Sequence, residues 1–193
     1  MSAALPLVPL VRHKFSVEDY HRMGDAGVFA PGCRVELLHG EIINMTPIGS
    51  LHLRAVNSLS MFFAQGVGAR LIVSTQNPIS LPPDNEPQPD IVILQARADG
   101  YGESLPAADD VLLLIEVADS SVDSDRQVKV PLYASHGIPE VWLFDLKARR
   151  LEIYTKPKGR SYANQRQLGS RDSVKPTLFE VPDLHLGQIW PAS

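Results

Sequence analysis

Two acidic residues stand on consecutive apolar segments of the chain. Asp90 follows Pro89 and opens the run 88–94 (QPDIVIL), and Glu116 lies inside the run 111–118 (VLLLIEVA). A carboxylate within so apolar a segment costs several kcal/mol unless it is paired or binds a metal. Glu116 therefore points to chemistry at this place in the fold.

Two carboxylates on neighbouring strands form an oxygen-rich site suited to Mg²⁺ or Mn²⁺, with water, a backbone carbonyl and substrate phosphate as further ligands. The Val117 carbonyl is the candidate backbone ligand. Lys129 follows on the next helix, where its ammonium would act on the attacking water or on the charge that develops on a phosphate. Asp90, Glu116 and Lys129 together predict a phosphodiester hydrolase.

Each of these residues also has a purely structural interpretation. A Pro-Asp dipeptide commonly starts a strand from a turn, and Lys129 could pair with Asp125 four residues earlier for about 0.3–0.5 kcal/mol. Glu116 could be held by a backbone amide or by Arg126.

The elements that must position these residues begin with a predicted β-hairpin at 35–38 and 41–45 around a two-residue turn. If Leu38 lies opposite Glu41, Glu36 and Glu41 share one face of the hairpin. Helical spacing over 51–65, with Ser50 as the cap and Gly66 as the stop, predicts a helix that lies on a sheet.

The middle of the chain predicts an α+β fold with a mixed central sheet flanked by helices. Pro131 predicts a kink or a helix start within the helical segment 120–136. A terminal turn should be packed by Trp190. Strands are expected at 70–75, 78–81, 90–94, 111–118, 140–145 and 151–154, with an edge strand at 162–168.

Length and composition favour one domain over 193 residues with 44% hydrophobic content, its core at about 35–155. The apolar stretch from Ala3 to Val11 contains Pro6 and Pro9 and is too short to span a bilayer, so we expect neither a signal peptide nor a membrane anchor. The single cysteine, Cys33, excludes an intrachain disulfide and fits a reducing cytoplasm.

The formal net charge of -4 argues against bulk attraction to nucleic acid, but the charge is unevenly distributed. The segment 125–160 contains eight basic residues and four acidic ones. This segment is either a phosphate-facing patch or a set of solvated hairpin ends.

Five stretches, in order, resemble the Uma-two family, whose members are described as restriction endonucleases within the PD-(D/E)xK nuclease superfamily. They are 15–20 (FSVEDY), 35–47 (VELLHGEIINMTP), 88–94 (QPDIVIL), 112–121 (LLLIEVADSS) and 125–145 (DRQVKVPLYASHGIPEVWLFD). The resemblance covers nearly the whole chain.

The resemblance implies a restriction-endonuclease-like core that uses Mg²⁺, with Asp90 as the aspartate of the PD motif and Glu116 as the acid of the second motif. Ala118 occupies the place of the usual lysine, so Lys129 takes that role from the following helix. Glu36, Glu41 and His52 match family positions and are auxiliary site candidates, as is Gln88.

The leading hypothesis is a metal-dependent DNA endonuclease, with a nuclease outside DNA restriction as its neighbour. The alternative is an inactive nucleic-acid-binding or accessory module on the same fold. No recognition helix or zinc finger is evident, so the sequence predicts no target. The apolar strands and the hairpin that contains Trp142 suggest a homodimer suited to cutting two strands.

Overall fold

A computed structural model describes residues 11–190 of the chain. The prediction made for the stretch from Ala3 to Val11 falls, except for Val11, outside these residues. Within 11–190, no helix has both the length and the apolar content needed to cross a bilayer.

A six-stranded mixed sheet forms the centre of the molecule and confirms the predicted fold class. Its strands are β3 (Leu71–Thr75), β4 (Ile91–Gln95), β5 (Val111–Ala118), β6 (Glu140–Asp145), β7 (Arg150–Lys158) and β8 (Ser161–Gly169). The spatial order is β3-β4-β5-β6-β7-β8. In this sheet β5 and β6 run parallel, while the other neighbours are antiparallel.

The N-terminal elements are α1 (Val17–Asp25) and the predicted hairpin of β1 (Val35–Leu38) and β2 (Glu41–Asn44). Ser16 and Asp19 form a reciprocal capping box at the start of α1, as S-x-x-D spacing favours. Leu38 lies opposite Glu41, which is the predicted register.

One face of the sheet packs against α2 (Ser50–Val67) and the C-terminal segment. The helix begins after Gly49 rather than Ser50, and it runs through Gly66 to Val67, with Gly68 (φ 58°) as its C-cap. Gly66 lets the helix approach the C-terminal segment closely, because a Cβ there would lie 3.0 Å from Val181 Cγ1. The C-terminal segment comprises β9 (Ser173–Val174), β10 (Leu184–His185), a 3₁₀ turn at Leu186–Gln188 and the buried Trp190.

The other face packs against the segment between β5 and β6, which is not one regular helix. It consists of α3 (Val122–Ser124), a π-helical turn (Asp125–Lys129) and α4 (Val130–Ser135). The Val130 amide donates to the Asp125 carbonyl five residues back. Pro131 falls in the first turn of α4, where its missing N–H costs little. The predicted disturbance at Pro131 is therefore a change of helix type just before it.

One expectation is wrong. The segment 78–81 makes only isolated bridges, from Ser80 to Ala107 and from Leu81 to Asn85, instead of a strand. Trp142 is fully buried and packs against Phe63, and the homodimer suggested by its hairpin and the apolar strands stays a prediction.

An ion pair anchors the π-helical turn to the sheet. Arg126 donates to both oxygens of Glu152 on β7 at 3.1 and 2.7 Å, and the Tyr154 hydroxyl donates to the same carboxylate at 2.5 Å. Burial raises the pKa of Glu152, but these hydrogen bonds outweigh burial and the net pKa is lowered. The pair therefore compensates a carboxylate that would otherwise lie buried and unpaired.

Replacing Arg126→Ala should lower the free energy of unfolding at pH 7 by about 3 kcal/mol, because it leaves the Glu152 carboxylate buried without its cation. The pKa of Glu152 is lowered in the folded state, so its contribution exists above the unfolded pKa and is lost as pH falls below about 4. In urea melts, the difference in free energy of unfolding between wild type and Arg126→Ala should be large at pH 7 and small at pH 3.5. Arg166→Ala on exposed β8 is the control, and equal effects of the two changes would contradict the anchoring role.

Candidate metal and phosphate site

The register of the two central strands brings the two predicted acids together. Ile91 lies opposite Ile115, so continuing the antiparallel pairing by one residue places Asp90 opposite Glu116. Cross-strand neighbours share one face of the sheet with Cβ atoms about 4.5–5.5 Å apart. Both side chains line a cavity of about 420 Å³.

Hydrogen bonds from three directions hold the Asp90 carboxylate. The Val117 amide donates to Oδ2 at 2.9 Å, and the Gln76 side-chain amide donates to Oδ1 at 3.3 Å. His52 Nε2 lies 3.0 Å from Oδ1 and 3.1 Å from Oδ2. The carboxylate is therefore oriented before any ligand arrives.

The Val117 carbonyl faces the same edge as its amide. The neighbouring Ala118 carbonyl accepts from the Leu146 amide next to β6, and successive residues of a strand point their polar groups to opposite sides. The backbone amide and carbonyl of Val117 therefore both point toward β4. There, continuing the register of β4 and β5 places Val117 opposite Pro89. Proline has no N–H, so the sheet ladder provides no donor for the Val117 carbonyl at this position.

Glu116 is almost completely buried, and one of its oxygens is occupied. The Tyr133 hydroxyl donates to Oε1 at 2.6 Å, and Lys129 Nζ lies 3.3 Å from the same atom. Within residues 11–190, Oε2 has no hydrogen-bond partner. The alternative partner, Arg126, instead binds Glu152 and Asp123.

Lys129 also contacts Glu36 on β1, with Nζ 3.1 Å from Oε2. The π-helical turn directs Lys129 inward, and its side chain is 8% exposed, so the surface pairing with Asp125 is not observed. Glu36 Oε2 accepts a further hydrogen bond from the backbone amide of Gln88 at 3.1 Å. The first hairpin thereby contributes one carboxylate to the site.

Glu41 does not reach this cavity. Its carboxylate accepts from Lys14 at 2.7 Å and lies 3.6 Å from Arg12. The predicted register is correct, but Glu41 stands at the turn end of the hairpin, whereas Glu36 stands nearer the open end. A shared face does not give both acids the same neighbours.

His52 and Gln88 both lie in the cavity wall. His52 is partly buried rather than an exposed cap residue, and its Nδ1 is buried without a partner in the described part of the chain. Gln88 donates to the Gln76 carbonyl at 2.8 Å and accepts from Arg34 at 3.3 Å. His52 therefore holds the Asp90 carboxylate, and Gln88 holds the PD segment, the chain at Pro89 and Asp90.

Sequence reasoning missed several residues of this site. Asp125 is 5% exposed and accepts from the Ser121 hydroxyl at 2.7 Å. Its spacing of four from Lys129 is the available signal, but that spacing entered the sequence analysis only as the structural alternative for Lys129. The cavity wall also contains Arg34, Gln76, Asp119 and Ser121, and Tyr133 lies behind it.

The basic residues between 125 and 160 do not form one patch. Arg126 and Lys129 are paired with acids, and the others divide between the two ends of β7. Lys147 and Arg150 lie at the end that carries Asp90 and Glu116. This distribution favours the interpretation as solvated hairpin ends.

Comparison with known proteins agrees with this geometry. The family model Uma2, described as "Putative restriction endonuclease", matches residues 17–186. The chain belongs to the Uma2 family. The family resemblance inferred from the sequence motifs is thus confirmed.

A solved structure also shares the fold of this Uma2 chain. It is described as "a putative nuclease belonging to DUF820 from Anabaena variabilis ATCC 29413". The TM-score is 0.69 at 13% sequence identity, with 91% of this chain and 97% of that chain covered. No curated protein matches the sequence.

The cavity of the Uma2 chain is strongly acidic. Among residues 11–190, its wall contains two permanent cations, Arg34 and Lys129, against five carboxylates: Glu36, Asp90, Glu116, Asp119 and Asp125. Burial raises the pKa of Glu116 to about 8, although Lys129 opposes the shift, and Asp125 and Asp90 raise it further. Burial also raises the pKa of Asp125. The site is therefore short of positive charge.

The donor atoms fit a hard divalent cation. Within residues 11–190, no three His, Cys, Asp or Glu side chains form a ready-made metal cluster. Mg²⁺, however, needs only one or two protein carboxylates and keeps several waters. Asp90, the unpaired Oε2 of Glu116 and the Val117 carbonyl satisfy that requirement.

The raised pKa of Glu116 predicts a pH dependence of stability without metal. The folded state retains a proton that the unfolded state releases near pH 4.5, so the free energy of unfolding should fall as pH rises from about 5 to about 8. Each unit of pKa difference corresponds to about 1.36 kcal/mol. Glu116→Gln, which mimics the protonated acid, should remove this part of the slope.

Urea melts in a metal chelator at pH 5, 6.5 and 8 measure this dependence. Glu180→Gln is the control because the Glu180 side chain is 84% exposed. An identical slope in wild type and Glu116→Gln would show that Glu116 is ionised throughout this range.

Proposed function

We propose that this chain, acting as one nuclease domain over residues 1–193, is a metal-dependent phosphodiester hydrolase that cuts DNA. The observation that supports the proposal best is the pairing of Asp90 with Glu116 on one sheet face, with Lys129 3.3 Å from Glu116. The family description and the structural neighbour are both those of nucleases.

Asp90, Glu116 Oε2 and the Val117 carbonyl would hold Mg²⁺ or Mn²⁺. The bound ion would lower the pKa of a coordinated water and offset negative charge on the phosphate. Tyr133 keeps Glu116 Oε1 occupied and thereby leaves Oε2 to face the ligand. His52 and Gln76 keep Asp90 in the orientation it needs.

Lys129 acts on the reacting phosphate in this proposal. Glu36 and Glu116 hold its ammonium at the cavity wall, where it donates hydrogen bonds to an attacking water or to a phosphate oxygen as negative charge develops. Glu36 is therefore a positioning residue rather than a required metal ligand. A cytoplasmic location and a two-fold dimer for cutting both strands belong to the same proposal.

Wild-type protein should nick or linearise plasmid DNA with Mg²⁺ or Mn²⁺. Lys129→Ala should lower the single-turnover rate by about 10²–10³ because one transition-state charge contact is lost. It should still be stabilised by the metal, since a charged lysine has no lone pair to ligate it. Asp90→Asn should lose both cleavage and thermal stabilisation by Mg²⁺.

The exposed Asp183 provides the matched control, and Asp183→Asn should cleave like wild type. Absence of cleavage by folded wild type with either metal, on plasmid and single-stranded DNA, would favour the inactive accessory module. Unchanged cutting by Lys129→Ala would leave Lys129 a structural cation.

Tyr133→Phe should weaken metal binding by about 10–100-fold, the usual effect of losing a group that orients a ligand. Tyr154→Phe is the matched control. Like Tyr133, Tyr154 donates a hydroxyl hydrogen bond to a glutamate, but its partner, Glu152, lies away from the cavity. Calorimetric Mn²⁺ titration compares the two. Equal affinities for the two variants would show that the Tyr133 hydroxyl only stabilises the fold.

A further inference from the structure

Arg34, just before β1, is a cation in the cavity wall without a carboxylate partner. Within residues 11–190 it forms no ion pair, although five carboxylates line the same cavity. Its side-chain hydrogen bond goes to the neutral Gln88 amide oxygen at 3.3 Å. A guanidinium carries five N–H donors, so most of them remain available to a ligand.

Lys129, the other permanent cation in the wall, already has two carboxylate partners. Its ammonium contacts Glu36 at 3.1 Å and Glu116 at 3.3 Å, and the proposed function assigns it to the attacking water or the hydrolysed phosphate. Arg34 is therefore the cation that remains for a second anion in the cavity. The planar guanidinium fork matches a phosphate group with two parallel hydrogen bonds.

Hydrogen bonds connect Arg34 to the PD segment. Gln88, which accepts from Arg34, donates to the Gln76 carbonyl at 2.8 Å, and Gln76 donates to Asp90 Oδ1 at 3.3 Å. The backbone amide of Gln88 also donates a hydrogen bond to Glu36. The guanidinium is thus held at a defined position relative to Asp90 instead of moving freely in solvent.

Two exposed apolar side chains line the same cavity as Arg34. The Met45 amide donates to the Arg34 carbonyl, and Ile43 and Ile48 line the cavity with 38% and 40% exposure. A free phosphate ion would leave these side chains uncovered. A nucleic-acid strand provides both a phosphate for Arg34 and sugar and base surfaces for the isoleucines.

We propose that Arg34 binds a backbone phosphate of the nucleic-acid strand next to the one that is hydrolysed. This assignment rests on the proposed function, because the hydrolysed phosphate itself would lie at Asp90 and Glu116. Arg34 holds the strand in register, so it contributes to substrate affinity more than to the chemical step. Lysine at this position would keep the charge but lose the two-pronged contact.

The test is fluorescence anisotropy of a labelled DNA oligonucleotide with wild type, Arg34→Gln and Arg34→Lys in Mn²⁺, at several KCl concentrations. Arg34→Gln should weaken binding about ten-fold. It should also reduce the slope of log K against log[salt] by about 0.9, the value for one lost phosphate contact on duplex DNA. Arg34→Lys should keep the slope and lose less affinity.

Arg166→Gln on β8 is the matched control, and thermal melts establish that each variant is folded. Single-turnover cleavage by Arg34→Gln should need more enzyme for half-maximal rate, with a maximal rate within about three-fold of wild type. Unchanged affinity and slope would overturn the assignment. So would displacement of the oligonucleotide by equimolar inorganic phosphate, which would indicate a small-anion site.

The anisotropy result also separates this inference from the proposed function. If wild type binds DNA but never cleaves it, the hydrolase proposal fails, and the loss of salt slope in Arg34→Gln still supports the phosphate contact. If wild type cleaves DNA and Arg34→Gln matches it in affinity and slope, only the Arg34 assignment fails.

Discussion

The Lys129 ammonium between Glu36 and Glu116 is the contact that the site depends on. All three side chains are nearly inaccessible to solvent, and a buried ammonium is tolerated only when carboxylates beside it offset its charge. Lys129 in turn opposes the rise that burial causes in the pKa of Glu116. The contact joins β1 to β5 and to the π-helical turn, which both lie far from β1 in the sequence. The same charges that bring these elements together also form one wall of the cavity.

The π-helical turn explains how a lysine outside the usual motif position reaches the acid. Ala118 is two residues after Glu116 on the same strand face, and it is buried in the hydrophobic cluster on that face. The wider turn at 125–129 directs Asp125 and Lys129 inward together, and Arg126 anchors the turn to Glu152. Pro131 then starts a regular helix with no loss of a needed hydrogen bond. The π-helical turn and its anchor together hold Lys129 Nζ 3.3 Å from Glu116 Oε1.

The local pattern predicted the parts of the site that depend on strand periodicity. Asp90 and Glu116 stand out because each interrupts an apolar strand, and antiparallel pairing makes them neighbours. Contacts between distant segments were harder to predict: Glu41 shares a hairpin face with Glu36 yet pairs with Lys14. Asp125 was missed because an i,i+4 acid and lysine look the same whether the helix face is buried or solvated. Local spacing does not reveal which face a helix buries.

The excess of negative charge in the cavity favours the binding of a cation. A fold selected for stability alone would pair or remove buried carboxylates, yet three of the five carboxylates in this cavity, Glu36, Glu116 and Asp125, are buried, with one lysine between two of them. Burial raises the pKa of Glu116 and Asp125, so part of the charge is suppressed by protons when no other cation is bound. A divalent cation would replace such protons, and its charge would then attract the phosphate that an empty acidic cavity repels. Under the proposed function, a cation held by Asp90 and Glu116 would therefore favour phosphate binding at Arg34, because it would offset the carboxylates that share the cavity with the guanidinium.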